Sequence, residues 1–138
     1  MRRGTTLIEL AVVLCVTGTL AAVAVPGFRR MADRAAARGA AEDFATVCST
    51  ARHLAVLRSA TATVVIDEGA GIVSTQVGAS VVSRRDFGEV YEVVLDASRS
   101  RISYGPAGLA TGVSNVRFIA ARGAAAETVT VSRLGRVR

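Results

Sequence analysis

Few side chains in this sequence have the type and spacing to do chemistry, and the most unusual of them is Glu9. It is the only charged residue between Arg3 and Arg29, inside an apolar run that ends at Val25-Pro26. A carboxylate in a membrane-embedded helix costs about 2.5 kcal/mol or more unless it finds a partner or the interface, so something should compensate it. The remaining candidates are weaker. His53, the lone histidine, has Ser49 one helical turn before it, but no acid and no strand-turn-helix elbow completes a nucleophilic site. Cys48 and His53 stand five apart, on different faces of a helix, which argues against a shared metal. The pairs Glu42-Asp43 and Asp67-Glu68 are adjacent in sequence, one reading as a solvated surface and the other as part of a turn. All seventeen basic residues are arginine. The absence of lysine excludes a phosphate-binding loop ending in Gly-Lys-Ser/Thr, a Schiff-base lysine and a Ser-x-x-Lys nucleophile. No catalytic residue, metal ligand or cofactor is expected.

The element that positions Glu9 is the apolar run itself. A helix over residues 5–25, rising about 1.5 Å per residue, reaches roughly 30 Å, the thickness of a bilayer's hydrocarbon core. Thr6-Leu7-Ile8-Glu9 fits a capping box, in which the Thr6 and Glu9 side chains satisfy orphan amides at a helix start. Arg2-Arg3, the apolar run and Ala22-Val23-Ala24 also fit a secretory signal cut after Ala24, which would release a soluble domain, although Glu9 sits badly in such a signal. The paired arginines match a twin-arginine signal only weakly.

Gly4-Thr5-Thr6-Leu7-Ile8-Glu9-Leu10 resembles the class III signal of type IV pilins and type II secretion pseudopilins. The resemblance implies that a prepilin peptidase cuts between Gly4 and Thr5, that the new amino terminus on Thr5 is N-methylated, and that the apolar helix is retained. Thr5 stands where phenylalanine is usual. Glu9 takes the place of the family's glutamate, which pairs with a neighbouring subunit's terminal amine during assembly. The same resemblance implies a single-pass protein of the inner membrane, amino terminus cytoplasmic and carboxy-terminal domain periplasmic, partnered by other pilins through the helix. The arginines alone leave orientation open, because Arg2 and Arg3 face Arg29, Arg30 and Arg34 across the span. Residues 1–4 are then the leader, 5–26 the membrane and assembly helix, and 27–138 the periplasmic domain including the second half of the helix.

At 138 residues the chain has room for one modest domain beside the span. Four phenylalanines and two tyrosines are all its aromatics, so the core should be built of small and β-branched residues. The two cysteines, Cys15 and Cys48, would lie about 50 Å apart on one helix and cannot pair within a chain. Proline removes a helical hydrogen bond and crowds the preceding turn, so a kink is expected near Pro26, with Gly18 a second weak point. Beyond it Phe28, Met31, Ala35, Phe44, Val47, Ala51, Leu54 and Leu57 make an apolar stripe that predicts helix to about Arg58.

From Thr61 the apolar period changes to two. Residues 61–67 and 71–77 read as paired strands, 79–88 as a loop or short strand, and 89–96, 101–104, 113–121 and 127–132 as further strands. Gly105-Pro106-Ala107-Gly108 forces a turn. The fold class expected is α+β, a long amino-terminal helix packed on antiparallel sheets, as in pilins. Tyr104-Gly105-Pro106-Ala107-Gly108 and the ending Val131-Ser132-Arg133-Leu134-Gly135-Arg136-Val137-Arg138 resemble the GspH/FimT subfamily, whose soluble domains fold as two sheets against the helix. In FimT-like minor pilins a Gly-Arg-x-Arg ending is associated with DNA capture. That makes Arg133, Arg136 and Arg138 candidate phosphate contacts, with no aromatic in the tail to stack a base. The expected role is a structural minor pseudopilin or minor pilin, with DNA binding the alternative.

Overall fold

A computed structural model describes residues 6–112, 115–132 and 134–138. The chain divides into two compact units, Met1–Ala32 and Asp33–Arg138. Helix α1, Leu7–Leu57, contributes to both, and Pro26 lies inside it without ending it. Its end, Leu57, is one residue short of the boundary its periodicity predicts. Ser59, at φ +46°, closes the helix with a left-handed residue, and the Ala60 N–H donates back to the Ala55 carbonyl.

In the second unit eight strands and one short helix follow α1 among the described residues. They are β1 (Ala62–Asp67), β2 (Ile72–Val77), β3 (Ser80–Asp86), α2 (Phe87–Tyr91), β4 (Val94–Ala97), β5 (Arg101–Tyr104), β6 (Ala110–Thr111), β7 (Val116–Arg122) and β8 (Ala125–Val131). They form two antiparallel sheets, β3-β2-β1-β5-β6 and β4-β7-β8. The β1–β2 hairpin pairs Ala62 with Val77 and Asp67 with Ile72. That register places Val64, Ile66 and Val73 inward together, since a one-residue slip would turn all of them to solvent.

Three elements differ from the sequence expectation. The segment 79–88 is mostly a full strand, β3. The expected strand over 89–96 begins instead as α2, because the Asp86 side chain accepts the Glu89 N–H at 2.8 Å and caps a helical turn. Glu92, at φ +52°, ends that turn, and only Val94 onward pairs. β6 was not foreseen; two residues carry too little periodicity to read.

The core lies between the second half of α1 and the inner faces of both sheets. From the helix it takes Ala37, Ala40, Ala41, Phe44, Val47, Cys48, Ala51 and Ala55. Phe44, Val47 and Ala51 are buried where the apolar stripe puts them. Phe28, Met31 and Leu57 of that stripe are instead strongly exposed, and Ala55 takes the buried place near the helix end. Phe44 stacks on Phe118 of β7, centroids 3.7 Å apart, and Phe87 of α2 meets the edge of the same ring at 6.2 Å.

Charged groups clasp the rim. Arg122 of β7 reaches Asp33 at 3.3 Å and Glu92 at 2.6 Å and donates to the Tyr91 carbonyl at 3.1 Å. Arg85 of β3 pairs with Asp43 of α1. Gly123 lies so close to Asp33 that an added Cβ would come within 2.6 Å of its carboxylate, at a φ of +56° that favours glycine in any case. Exposed pairs contribute little, whereas truncating a buried aromatic costs about 3–5 kcal/mol, so the aromatic layer dominates. Phe44→Ala should therefore lower the unfolding free energy of the detergent-solubilised chain by about 3–5 kcal/mol in denaturant titration. Arg38→Gln, which breaks only the exposed Arg38–Glu42 pair, should leave the midpoint in place.

Candidate functional site

In the first unit the side chains that matter are those that the chain itself does not cover. Leu7, Ile8, Leu10, Val12, Val13, Leu14, Val16, Leu20, Val23 and Val25 are all exposed, and the helix is long and apolar enough there to cross a membrane. Backbone groups in hydrocarbon must be satisfied internally, and the polar side chains of the run do likewise. Thr17 Oγ1 donates to the Val13 carbonyl at 2.7 Å and Thr19 Oγ1 to the Val16 carbonyl at 2.9 Å. Thr6 Oγ1 accepts the Glu9 N–H at 3.4 Å, a long first half of the capping box. Glu9 is exposed, within the first turn of the helix. Gly18 has open space around it, and Pro26 is accommodated within α1. Gly4 and Thr5 lie outside the described residues.

The second candidate site is the carboxy-terminal tail, which folds back along β8. Val137 bridges Val131, Thr130 and Arg138 exchange backbone hydrogen bonds at 2.7 and 3.0 Å, and the Ser132 N–H donates to the Arg136 carbonyl at 2.8 Å. Gly135 makes the turn at φ +71°, with an added Cβ only 3.3 Å from the Tyr104 ring. Alternation along the tail leaves Arg136 and Arg138 exposed and half-buries Val137 against the core. The two arginines border a groove completed by Ala45, Ser49 and Arg52 of α1. Sequence reasoning missed Arg52, because only the fold brings residue 52 beside residue 136. Arg133 lies outside the described residues.

Among the described residues no arrangement for catalysis comes together. Ser49 and His53 are both exposed on α1, and among the described residues no three His, Cys, Asp or Glu side chains gather as a metal site. Cys48 is buried. Burial pushes its thiol up to about 12, and the neighbouring Tyr104 hydroxyl offsets only part of that. Burial, and then the Cys48 charge, also raise the Tyr104 phenol. Cys48 is thus a core residue, not a nucleophile.

The fold recurs in solved structures. The type IV minor pilin FimU of Pseudomonas aeruginosa, in two crystal forms, aligns with TM-scores of 0.66 and 0.61 at 14% identity. These alignments cover 78% and 73% of this chain and 90% of each FimU chain. The minor pseudopilin EpsH of the Type 2 Secretion System of Vibrio cholerae aligns at 0.55 with 15% identity, over 74% of this chain and 94% of its own. The chain has a type IV pilin-like fold. No family model matches the sequence, and no curated protein does either.

The thiol's burial gives a pH dependence with a definite sign. An unfolded chain ionises Cys48 near its ordinary value, about 8.5, while the folded domain holds the proton up to about 12. The contribution is fully present below the unfolded value. Between the two values only the unfolded state loses the proton, so stability falls as pH rises, by about 1.4 kcal/mol per unit. Denaturant titrations of the detergent-solubilised chain from pH 8 upward should show Cys48→Ala declining less steeply than the parent.

Proposed function

We propose that this chain is a minor pilin or minor pseudopilin, a structural subunit that enters a filament by its apolar helix. The observation that carries this reading is the pairing of a pilin-like domain with a helix whose apolar side chains are exposed around one carboxylate. Filament neighbours can cover such a surface, and a neighbour's terminal amine can neutralise Glu9. The prepilin-type signal supports cleavage by a prepilin peptidase between Gly4 and Thr5, methylation of Thr5, and a single pass through the inner membrane with the domain in the periplasm. Residues 1–4 would then be the leader, 5–26 the span and 27–138 the periplasmic part. Gly18 and Pro26 are the places where the helix would loosen or bend on assembly.

Glu9→Val removes the charge but keeps the apolar span. It should leave membrane insertion intact and reduce incorporation into filaments several-fold, measured by co-purification with sheared filaments; undiminished incorporation would count against the amine contact. Amino-terminal sequencing of the native chain should find Thr5 first. A start at Val25 would instead mean a secreted domain cut after Ala24.

One observation favours a second reading, DNA binding by the tail. Backbone pairing to β8 holds Arg136 and Arg138 on one exposed side, beside Arg52. The comparisons lend DNA binding no support. A gel shift of the detergent-solubilised chain should be lost in the Arg136→Gln, Arg138→Gln variant if the tail reads phosphates; equal retardation, or none from either protein, removes the idea.

A further inference from the structure

The arginines just past the apolar run have no part in the function proposed above. Arg29 and Arg30 are both exposed, and neither pairs with an acid among the described residues. Phe28 and Met31 flank them, 72% and 70% exposed. At 100° per residue Phe28 and Met31 fall within about 60° of each other, and the two arginines occupy the opposite half of the helix. Rings and thioethers on one side with guanidinium groups on the other is the chemistry of a membrane interface.

Their depth agrees. If residues 5–25 fill the roughly 30 Å hydrocarbon core, the headgroup layer beyond it adds about 5–7 Å in one leaflet. At about 1.5 Å per residue that layer holds the next four or five residues, Pro26 to Arg29 or to Arg30, with Met31 at its outer edge. A guanidinium presents a planar fork of donors that matches a phosphate bidentately, and two of them sit where lipid phosphates are. They stand beyond the span from Arg2 and Arg3 and oppose them in the charge bias that sets orientation. A local ligand for them would offset that disadvantage.

We infer that Phe28, Arg29, Arg30 and Met31 form a clamp for anionic phospholipid headgroups at the end of the span away from the amino terminus. The ligand is the phosphate of a lipid such as phosphatidylglycerol, held by Arg29 and Arg30 while Phe28 lies against the glycerol and upper acyl region. The clamp rests on the reading of residues 5–25 as membrane-spanning. It gives the subunit a reason to stay in the bilayer until it is recruited, because leaving for a filament means releasing the lipid phosphates.

The test uses the full chain reconstituted in phosphatidylcholine vesicles and in vesicles of three parts phosphatidylcholine to one part phosphatidylglycerol. Spin-labelled lipids of each headgroup report which is immobilised next to the protein. The parent chain should prefer phosphatidylglycerol, each arginine contributing roughly fivefold. Arg29→Gln with Arg30→Gln should bring the preference close to that for phosphatidylcholine. Arg99→Gln with Arg101→Gln, an equal loss of charge at exposed sites in the second unit, should keep it. No preference in the parent, or equal preference in the Arg29/Arg30 variant, overturns the clamp. Loss of the preference on adding inorganic phosphate at constant ionic strength overturns it as a lipid site and reassigns it to free phosphate. Alkaline carbonate extraction separates the two levels. A chain released from both vesicle types has no span, whereas a chain that stays embedded without lipid preference loses only the clamp.

Discussion

The constraint that governs this molecule is that one half of its longest helix has nothing in its own chain to bury it. From Leu7 to Val25 the large apolar side chains are all exposed, and burying an aliphatic side chain of that size is worth about 1.5–3 kcal/mol. Ten or so such side chains left in water would outweigh the net stability of a small domain. The first unit therefore requires a lipid or protein environment supplied from outside. The sequence meets the needs of that environment in detail: hydroxyls bond back to helix carbonyls, and charge is absent apart from Glu9.

The second half of the helix solves the opposite problem with an alanine-rich face. Small side chains at positions 37, 40, 41, 51 and 55 let the sheets come close, and Phe44 fills the remaining gap by stacking on Phe118. With so few aromatics, one well-placed layer of Phe44, Phe87 and Phe118 does what a larger core does by bulk. The ionic clasps from Arg122 and Arg85 then fix the rim, where solvent screening keeps their contribution modest.

Much of this could be read before the coordinates, for physical reasons. β1 alternates along its length and β8 does so from Thr128 to Val131, so those faces are legible, and the helix announces itself by its period as far as Ala51. What failed was local ambiguity and long-range closure. Residues 89–96 alternate well enough to pass for one strand, and only the Asp86 cap turns their first half into α2. Leu57 continues the apolar stripe, yet as the last residue of the helix it stays exposed, with Ser59 turning the chain just beyond it. Of the candidate site, Glu9 stood out as a charge in an apolar run. The tail's return along β8 is a local turn at Gly135 that a short, weakly alternating segment does not announce, and Arg52 comes beside it only through a contact across eighty-four residues that no spacing in the sequence encodes.

Strand β3 bears on how such a chain stays soluble among its own copies. It is the edge of the five-stranded sheet, and from Ser80 to Arg85 it is exposed on both faces, Val81 and Val82 included. Copies of one chain brought close together meet edge to edge, and an open apolar edge invites stray strands. Arg84 and Arg85, with the register shift opposite Thr75 and Gln76, put charge and a bend on that hem, so crowding of copies does not become amyloid-like stitching.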